Sequence, residues 1–128
     1  MDKILVFVVD DEPMFSEMLK TRLEEEKKYE VQVYKNGEEC LDNLYQDPDF
    51  IILDYHLDAE NKEAENGLKV LKKIRKEDPR AHVIVVSSQK KYGVAAQTIS
   101  GGAEHYLMKD EEVFSKIEEI LDEVSRKG

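Results

Sequence analysis

The sequence predicts an α/β protein of five strands alternating with five helices, (βα)5, doubly wound around a parallel sheet. Three observations predict it. Short apolar runs rich in β-branched residues recur along the whole chain, and those at Ile4–Val9, Phe50–Leu53 and Val83–Val86 are apolar at every position. Strands buried on both faces of a parallel sheet read this way. Between the runs lie segments with helical spacing, and no linker, repeat or low-complexity stretch interrupts the alternation.

The first strand, Ile4–Val9, leads into a helix expected over about Pro13–Lys27, with Phe15, Met18, Leu19 and Leu23 on one face. Asp11 is its candidate N-cap, and Pro13 suits the first helical position. The second strand, Val31–Tyr34, is followed by an Asn36-Gly37 turn and a helix packing with Cys40, Leu41 and Leu44. After the third strand, a helix uses Leu68, Val70, Leu71 and Ile74 and stops before Pro79. The helix after the fourth strand is weakly apolar (Val94, Ala95, Ala96, Ile99) and ends at Gly101-Gly102. A fifth strand around Tyr106–Met108 precedes a helix bearing Val113, Phe114, Ile117, Ile120, Leu121 and Val124. Asp110, Glu111 and Glu112 stand at that helix's positive end.

Composition narrows the function. The chain has 128 residues, the size of one domain. Its 19 Lys+Arg against 29 Asp+Glu give a net charge of −10, which disfavours nucleic acid as a direct ligand. A single cysteine, Cys40, excludes an internal disulfide, and its apolar neighbours make it a core residue. No apolar run approaches the ~20 residues of a membrane span. Asp10-Asp11-Glu12 closes the first run, where a signal peptide would not place acids. A single cytoplasmic domain over 1–128, without membrane insertion or an output domain, is the expectation.

In doubly wound sheets, ligands bind beyond the carboxyl ends of the strands. Asp10 and Asp11 follow the first strand, Asp54 the third, Ser87 and Ser88 the fourth and Lys109 the fifth. Neighbouring strands lie ~4.8 Å apart, so these acids must crowd one another. Two carboxylates ~5 Å apart repel by roughly 3 kcal/mol at an effective dielectric of about 20. Lys109 offsets part of that charge, and a hard divalent cation such as Mg²⁺, which prefers oxygen ligands, would offset the rest. Each residue also has a plainer reading: Asp11 as a cap, Asp10 as a solvated acid, the serines as turn residues, Lys109 as a surface charge. Their coincidence at four strand ends favours the joint reading. His82 and His105 lack a ligand-spaced partner and read as exposed or capping residues. Tyr106 reads equally as a half-buried aromatic or a moving part.

This ordered set resembles the response-regulator receiver domains of two-component signalling, along with the run Gly102-Ala103-Glu104-His105-Tyr106 leading to Lys109. The resemblance implies a flavodoxin-like fold with strand order 2-1-3-4-5. It implies Asp54 as phosphoryl acceptor and Mg²⁺ held by Asp11, Asp54 and the backbone carbonyl of His56, with Asp10 acting through water. Ser87 and Lys109 would contact the phosphoryl oxygens. Tyr106 would turn inward with Ser87, and the surface of the fourth helix, fifth strand and fifth helix would change. His56, Ser88 and Gln89 would tune the lifetime of the adduct. Partners would be a sensor histidine kinase or histidine phosphotransfer protein and a downstream target protein. Its only catalysis would be its own phosphoryl transfer and dephosphorylation.

The sequence departs from the family pattern in three places. Asp110 follows Lys109, where proline is usual. The loop after Asp54 carries Leu57-Asp58 and an acidic insertion over 58–66, so that Gly67 comes 13 residues after Asp54. Ser88 stands where a smaller residue is common. These departures keep a second reading open, a receiver-like docking module that takes no phosphate. A flavin- or nucleotide-binding domain is disfavoured because Asp10-Asp11-Glu12-Pro13 would repel phosphate and Pro13 lacks an N–H. A Mg²⁺-dependent phosphoester hydrolase is disfavoured because His56 stands where such enzymes carry a second acid.

Overall fold

The computed structural model describes residues 3–56, 67–88 and 92–127. Its elements are β1 (Ile4–Val9), α1 (Pro13–Glu24), β2 (Tyr29–Tyr34), α2 (Gly37–Asp42), β3 (Phe50–Asp54), α3 (Gly67–Glu77), β4 (His82–Ser87), α4 (Tyr92–Ser100), β5 (His105–Met108) and α5 (Val113–Lys127). A short 3₁₀ turn over Leu44–Gln46 extends α2. The strands form one parallel sheet in the order β2-β1-β3-β4-β5, as the receiver resemblance implies.

Alternation along each strand divides the core into two layers. Val6 and Val8 of β1, Phe50 and Ile52 of β3, and Ile84 and Val86 of β4 pack with Phe15, Leu19 and Leu23 of α1 and Ile117 and Leu121 of α5. Phe7 and Val9, Ile51 and Leu53, and Val83 and Val85 face the other way, against Cys40, Val70, Leu71 and Ile74. This is why the runs Ile4–Val9, Phe50–Leu53 and Val83–Val86 are apolar at every position: both faces are covered. Cys40 is fully buried, and burial pushes its thiol up to about 12, so it is an unreactive core side chain.

Two boundaries differ from the sequence reading by two residues or more. Helix α1 ends at Glu24 rather than Lys27, because the chain turns there, with Glu26 N–H donating to the Leu23 carbonyl and Tyr29 N–H to that of Glu26. Strand β2 begins at Tyr29, two residues before Val31, pairing Tyr29 with Ile4. Tyr29 is buried, and its hydroxyl donates to Asp122 of α5 at 2.6 Å. Asp11 does not cap α1. The N-cap is Glu12, whose side chain makes no capping bond, while Asp10 Oδ1 accepts the Glu12 N–H at 2.8 Å. At α5, Asp110 does act on a helix start, as Asp110 Oδ1 accepts the Glu112 N–H at 2.9 Å. Gly102 closes α4 at φ +116°, a conformation open to glycine. His82, read as exposed or capping, is half-buried and pairs through Nδ1 with Glu104 at 2.7 Å.

Candidate functional site

Register brings the site together. Val9 pairs with Leu53, so the next residues, Asp10 and Asp54, leave adjacent strands side by side. Asp54 in turn pairs with Val86, which places Ser87 at the neighbouring strand end. Lys109 N–H donates to the Ser87 carbonyl at 2.9 Å, anchoring the start of the lysine at the same edge. Asp10, Asp54 and Ser87 are all buried.

Lys109 Nζ lies 2.8 Å from Asp10 Oδ2, 3.3 Å from Glu12 Oε1 and 3.6 Å from Asp54 Oδ2. Asp10 Oδ2 is thus ion-paired to Lys109 and, among the described residues, has no further hydrogen-bond partner, although it is buried. Asp54 Oδ1 accepts the His56 N–H at 3.1 Å. The His56 ring lies with Nε2 3.3 Å from Ser87 Oγ. Carboxylate oxygens of Asp10, Glu12 and Asp54 lie within 4.8 Å of one another.

The electrostatics follow from that crowding. Burial, and then the charge of Asp54, push Asp10 up from 3.8 to about 6 against the pull of Lys109. Asp54 is raised by burial and by Asp11, opposed by the His56 N–H and Lys109. For Lys109, burial favours the neutral amine, but Asp10, Asp54 and Glu12 outweigh it and hold the ammonium above its ordinary value. One ammonium therefore does not balance the acids. The donor set is all oxygen, with one buried oxygen lacking a further partner among the described residues, which suits a hard divalent cation.

The structure brings together Asp10, Asp54, Lys109, Ser87 and His56, as the sequence reading expected. Among the described residues the close acid trio is Asp10, Glu12 and Asp54. Asp11 is half-buried and acts on Asp54 through its charge. Glu12 was legible only as the third acid of Asp10-Asp11-Glu12. Its side chain reaches the pocket because Pro13 opens α1 directly after it and Glu12 itself is extended (φ −92°, ψ 105°). Ser88 is exposed, away from the buried Ser87. Tyr106 is half-buried against the α2–α3 core layer. Gln89 and the acidic insertion lie outside the described residues.

Gly67 holds the Asp54 backbone from the far side. A Cβ there would stand 2.6 Å from the Asp54 carbonyl oxygen and 2.6 Å from Tyr55 Cα. Both are backbone atoms that cannot step aside cheaply. Gly67→Ala is expected to lower stability by about 2 kcal/mol, read as a fall in the urea midpoint. An unchanged midpoint would show that the chain after Asp54 yields freely.

Comparison with known proteins agrees with this geometry. A family model described as the response regulator receiver domain matches residues 6–122. The chain is 31% identical over 121 residues to the nitrate/nitrite response regulator protein homolog of Haemophilus influenzae, covering 93% of this chain and 56% of that protein. It is 29% identical to the chemotaxis protein CheY of Thermotoga maritima, covering 94% of this chain and 97% of that one. Among solved structures, a response regulator protein from Burkholderia pseudomallei with a phosphorylated aspartic acid, calcium ion and citrate superposes with a TM-score of 0.77 at 26% identity. That match covers 99% of this chain and 75% of the other. Apart from the chemotaxis protein, the chain spans about half or less of the curated relatives it matches. With the sheet order and the strand-end acids both in place, the match over residues 6–122 settles the family: this chain belongs to the response regulator receiver domains.

Proposed function

We propose that the chain is a switch controlled by phosphorylation of Asp54. One observation carries the reading: the Asp54 carboxylate is buried beside Asp10, with the Lys109 ammonium 3.6 Å from its Oδ2. An Asp54 oxygen attacks the phosphorus of a phosphohistidine or small acyl phosphate. The new P–O bond makes an acyl phosphate, the donor's P–N or P–O bond breaks, and the departing group takes the electron pair. Such transfers are mostly positioning and charge stabilisation.

Asp10, Asp54 and Glu12 would hold a divalent cation, with the His56 carbonyl as a further oxygen and Asp11 near at hand. When bound, that ion supplies positive charge for the developing phosphoryl oxygens. Lys109 supplies the second positive charge and Ser87 Oγ a hydrogen bond. The structure solved from Burkholderia pseudomallei, in which phosphorylated aspartic acid and calcium are present together, supports this pairing. Phosphorylation would draw Ser87 towards Asp54 and Tyr106 inward, changing the α4–β5–α5 surface. The partners fitting this chemistry are a histidine kinase or phosphotransfer protein upstream and a target protein downstream. The matching activity is self-phosphorylation and hydrolysis of the adduct, at a cytoplasmic location.

The test is incubation with acetyl phosphate with and without Mg²⁺, with mass spectrometry locating the adduct. Labelling of Asp54 that needs Mg²⁺ supports the reading, and no labelling in either condition overturns it. His56 covers Ser87 from the loop side, so His56→Ala should open the phosphoryl group to water. We expect labelling to persist and the adduct half-life to fall about threefold, on the order of 0.6 kcal/mol in barrier. Measured decay after removal of donor checks this, and complete loss of labelling would contradict it.

A further inference from the structure

Lys109 must hold one position while three carboxylates compete for its charge, and a lysine stem has many rotamers with which to leave. Beside these acids it has a fourth neighbour: Lys109 Nζ sits 4.6 Å from the centroid of the Phe15 ring. Phe15 is the first core residue of α1, at helical spacing from Leu19 and Leu23, and only 9% of it is exposed. Its ring is held in turn by stacking on Phe114 of α5, centroids 5.4 Å apart and planes 26° from parallel. The Arg22 guanidinium lies over Phe114, 5.9 Å from its centroid, and Arg22 Nη2 donates to Ser115 Oγ at 3.1 Å. Arg22 also pairs with Glu118. The ring against the ammonium is therefore a fixed wall, braced by α5.

We propose that Phe15 is the positioning residue for Lys109, its ring face holding the ammonium over the Asp10–Asp54 pocket. Deepening the reading of Asp54 as phosphoryl acceptor, on which it rests, the assignment gives the α1 core face a part in the chemistry. An ammonium within about 6 Å of a ring centroid is attracted by the ring's negative face. That attraction keeps the charge available to a phosphoryl oxygen instead of releasing it to solvent. An aliphatic side chain of similar size would fill the space without attracting the charge.

The experiment uses beryllofluoride, a phosphoryl mimic, with Mg²⁺, its binding followed by ¹⁹F NMR in wild type, Phe15→Leu and Phe15→Tyr. Phe15→Leu is expected to weaken binding about 3- to 10-fold, and Phe15→Tyr to restore it to within about twofold of wild type. A packing role alone would leave beryllofluoride binding by the aliphatic variant close to that of wild type. The Lys109 ε-methylene protons, shielded by the ring in the ligand-free wild type, should shift downfield in Phe15→Leu and stay in Phe15→Tyr. Should Phe15→Leu fail to fold, Phe15→Met takes its place. Binding by the aliphatic variant as tight as wild type, or by Phe15→Tyr as weak as the aliphatic variant, would overturn the proposal. Absence of Mg²⁺-dependent binding in wild type would instead bring down the reading of Asp54.

Discussion

Asp54→Ala incubated with acetyl phosphate and Mg²⁺ is expected to acquire no aspartyl phosphate, while wild type under the same conditions should be labelled. The effect is total rather than graded, because the substitution removes the atom that forms the bond. Neither Asp10 nor Glu12 is placed to stand in. Asp10 is pushed up to about 6 and is ion-paired to Lys109, and Glu12 is a largely exposed side chain paired with Lys109. Asp54→Asn should also be silent, since an amide oxygen is a poor nucleophile, yet it keeps the shape and the bond from the His56 N–H. Labelling retained in either variant, located by mass spectrometry on another acid, would move the acceptor elsewhere.

Asp10→Asn is expected to act in opposite directions on stability and on cation binding. In the ion-free protein, Asp10 titrates near 6 rather than 3.8. An acid whose folded value is raised binds its proton more tightly when folded, so stability falls as pH rises from about 4 to about 6 and stays low above that. A shift of that size corresponds to roughly 3 kcal/mol. The value of about 6 already includes the pull of Lys109, so Asp10→Asn should stabilise the ion-free protein near neutral pH by about 2–3 kcal/mol. Below about pH 4 the advantage should vanish. The same substitution removes a negative ligand, and Mg²⁺ affinity should fall about tenfold or more, about 1.4 kcal/mol or above. Urea unfolding across pH, with and without Mg²⁺, checks both halves. A destabilised Asp10→Asn at neutral pH without ion would mean that Asp10 is a satisfied structural carboxylate.

The architecture was readable wherever burial was two-sided. β1, β3 and β4 carry apolar side chains on both faces because both faces meet helices, and that signal needs no context. β2 lies at the sheet edge with Glu30 exposed, so its start at Tyr29 was hidden by the broken run. Asp10, Asp54, Ser87 and Lys109 were readable because each directly follows a strand, where a parallel sheet collects its polar ends. Glu12 and Phe15 were not. An acid before Pro13 reads as a helix start, and a phenylalanine four residues before Leu19 reads as core. Both readings are true of the local structure. What sequence spacing does not carry is that Lys109, nearly a hundred residues away, comes within 3.3 Å of Glu12 and 4.6 Å of the Phe15 ring. The choice between Asp10 and Asp11 as partner of the α1 terminus was likewise decided by a single 2.8 Å bond from the Glu12 N–H.

Calorimetric titration of the whole chain with Mg²⁺ at about pH 7.5 and about pH 5 tests the central claim most directly, because a cation and a proton compete for the same carboxylate. One ion per chain, bound about tenfold more weakly at the lower pH, is the predicted result. No binding at either pH, or equal affinity at both, would contradict it.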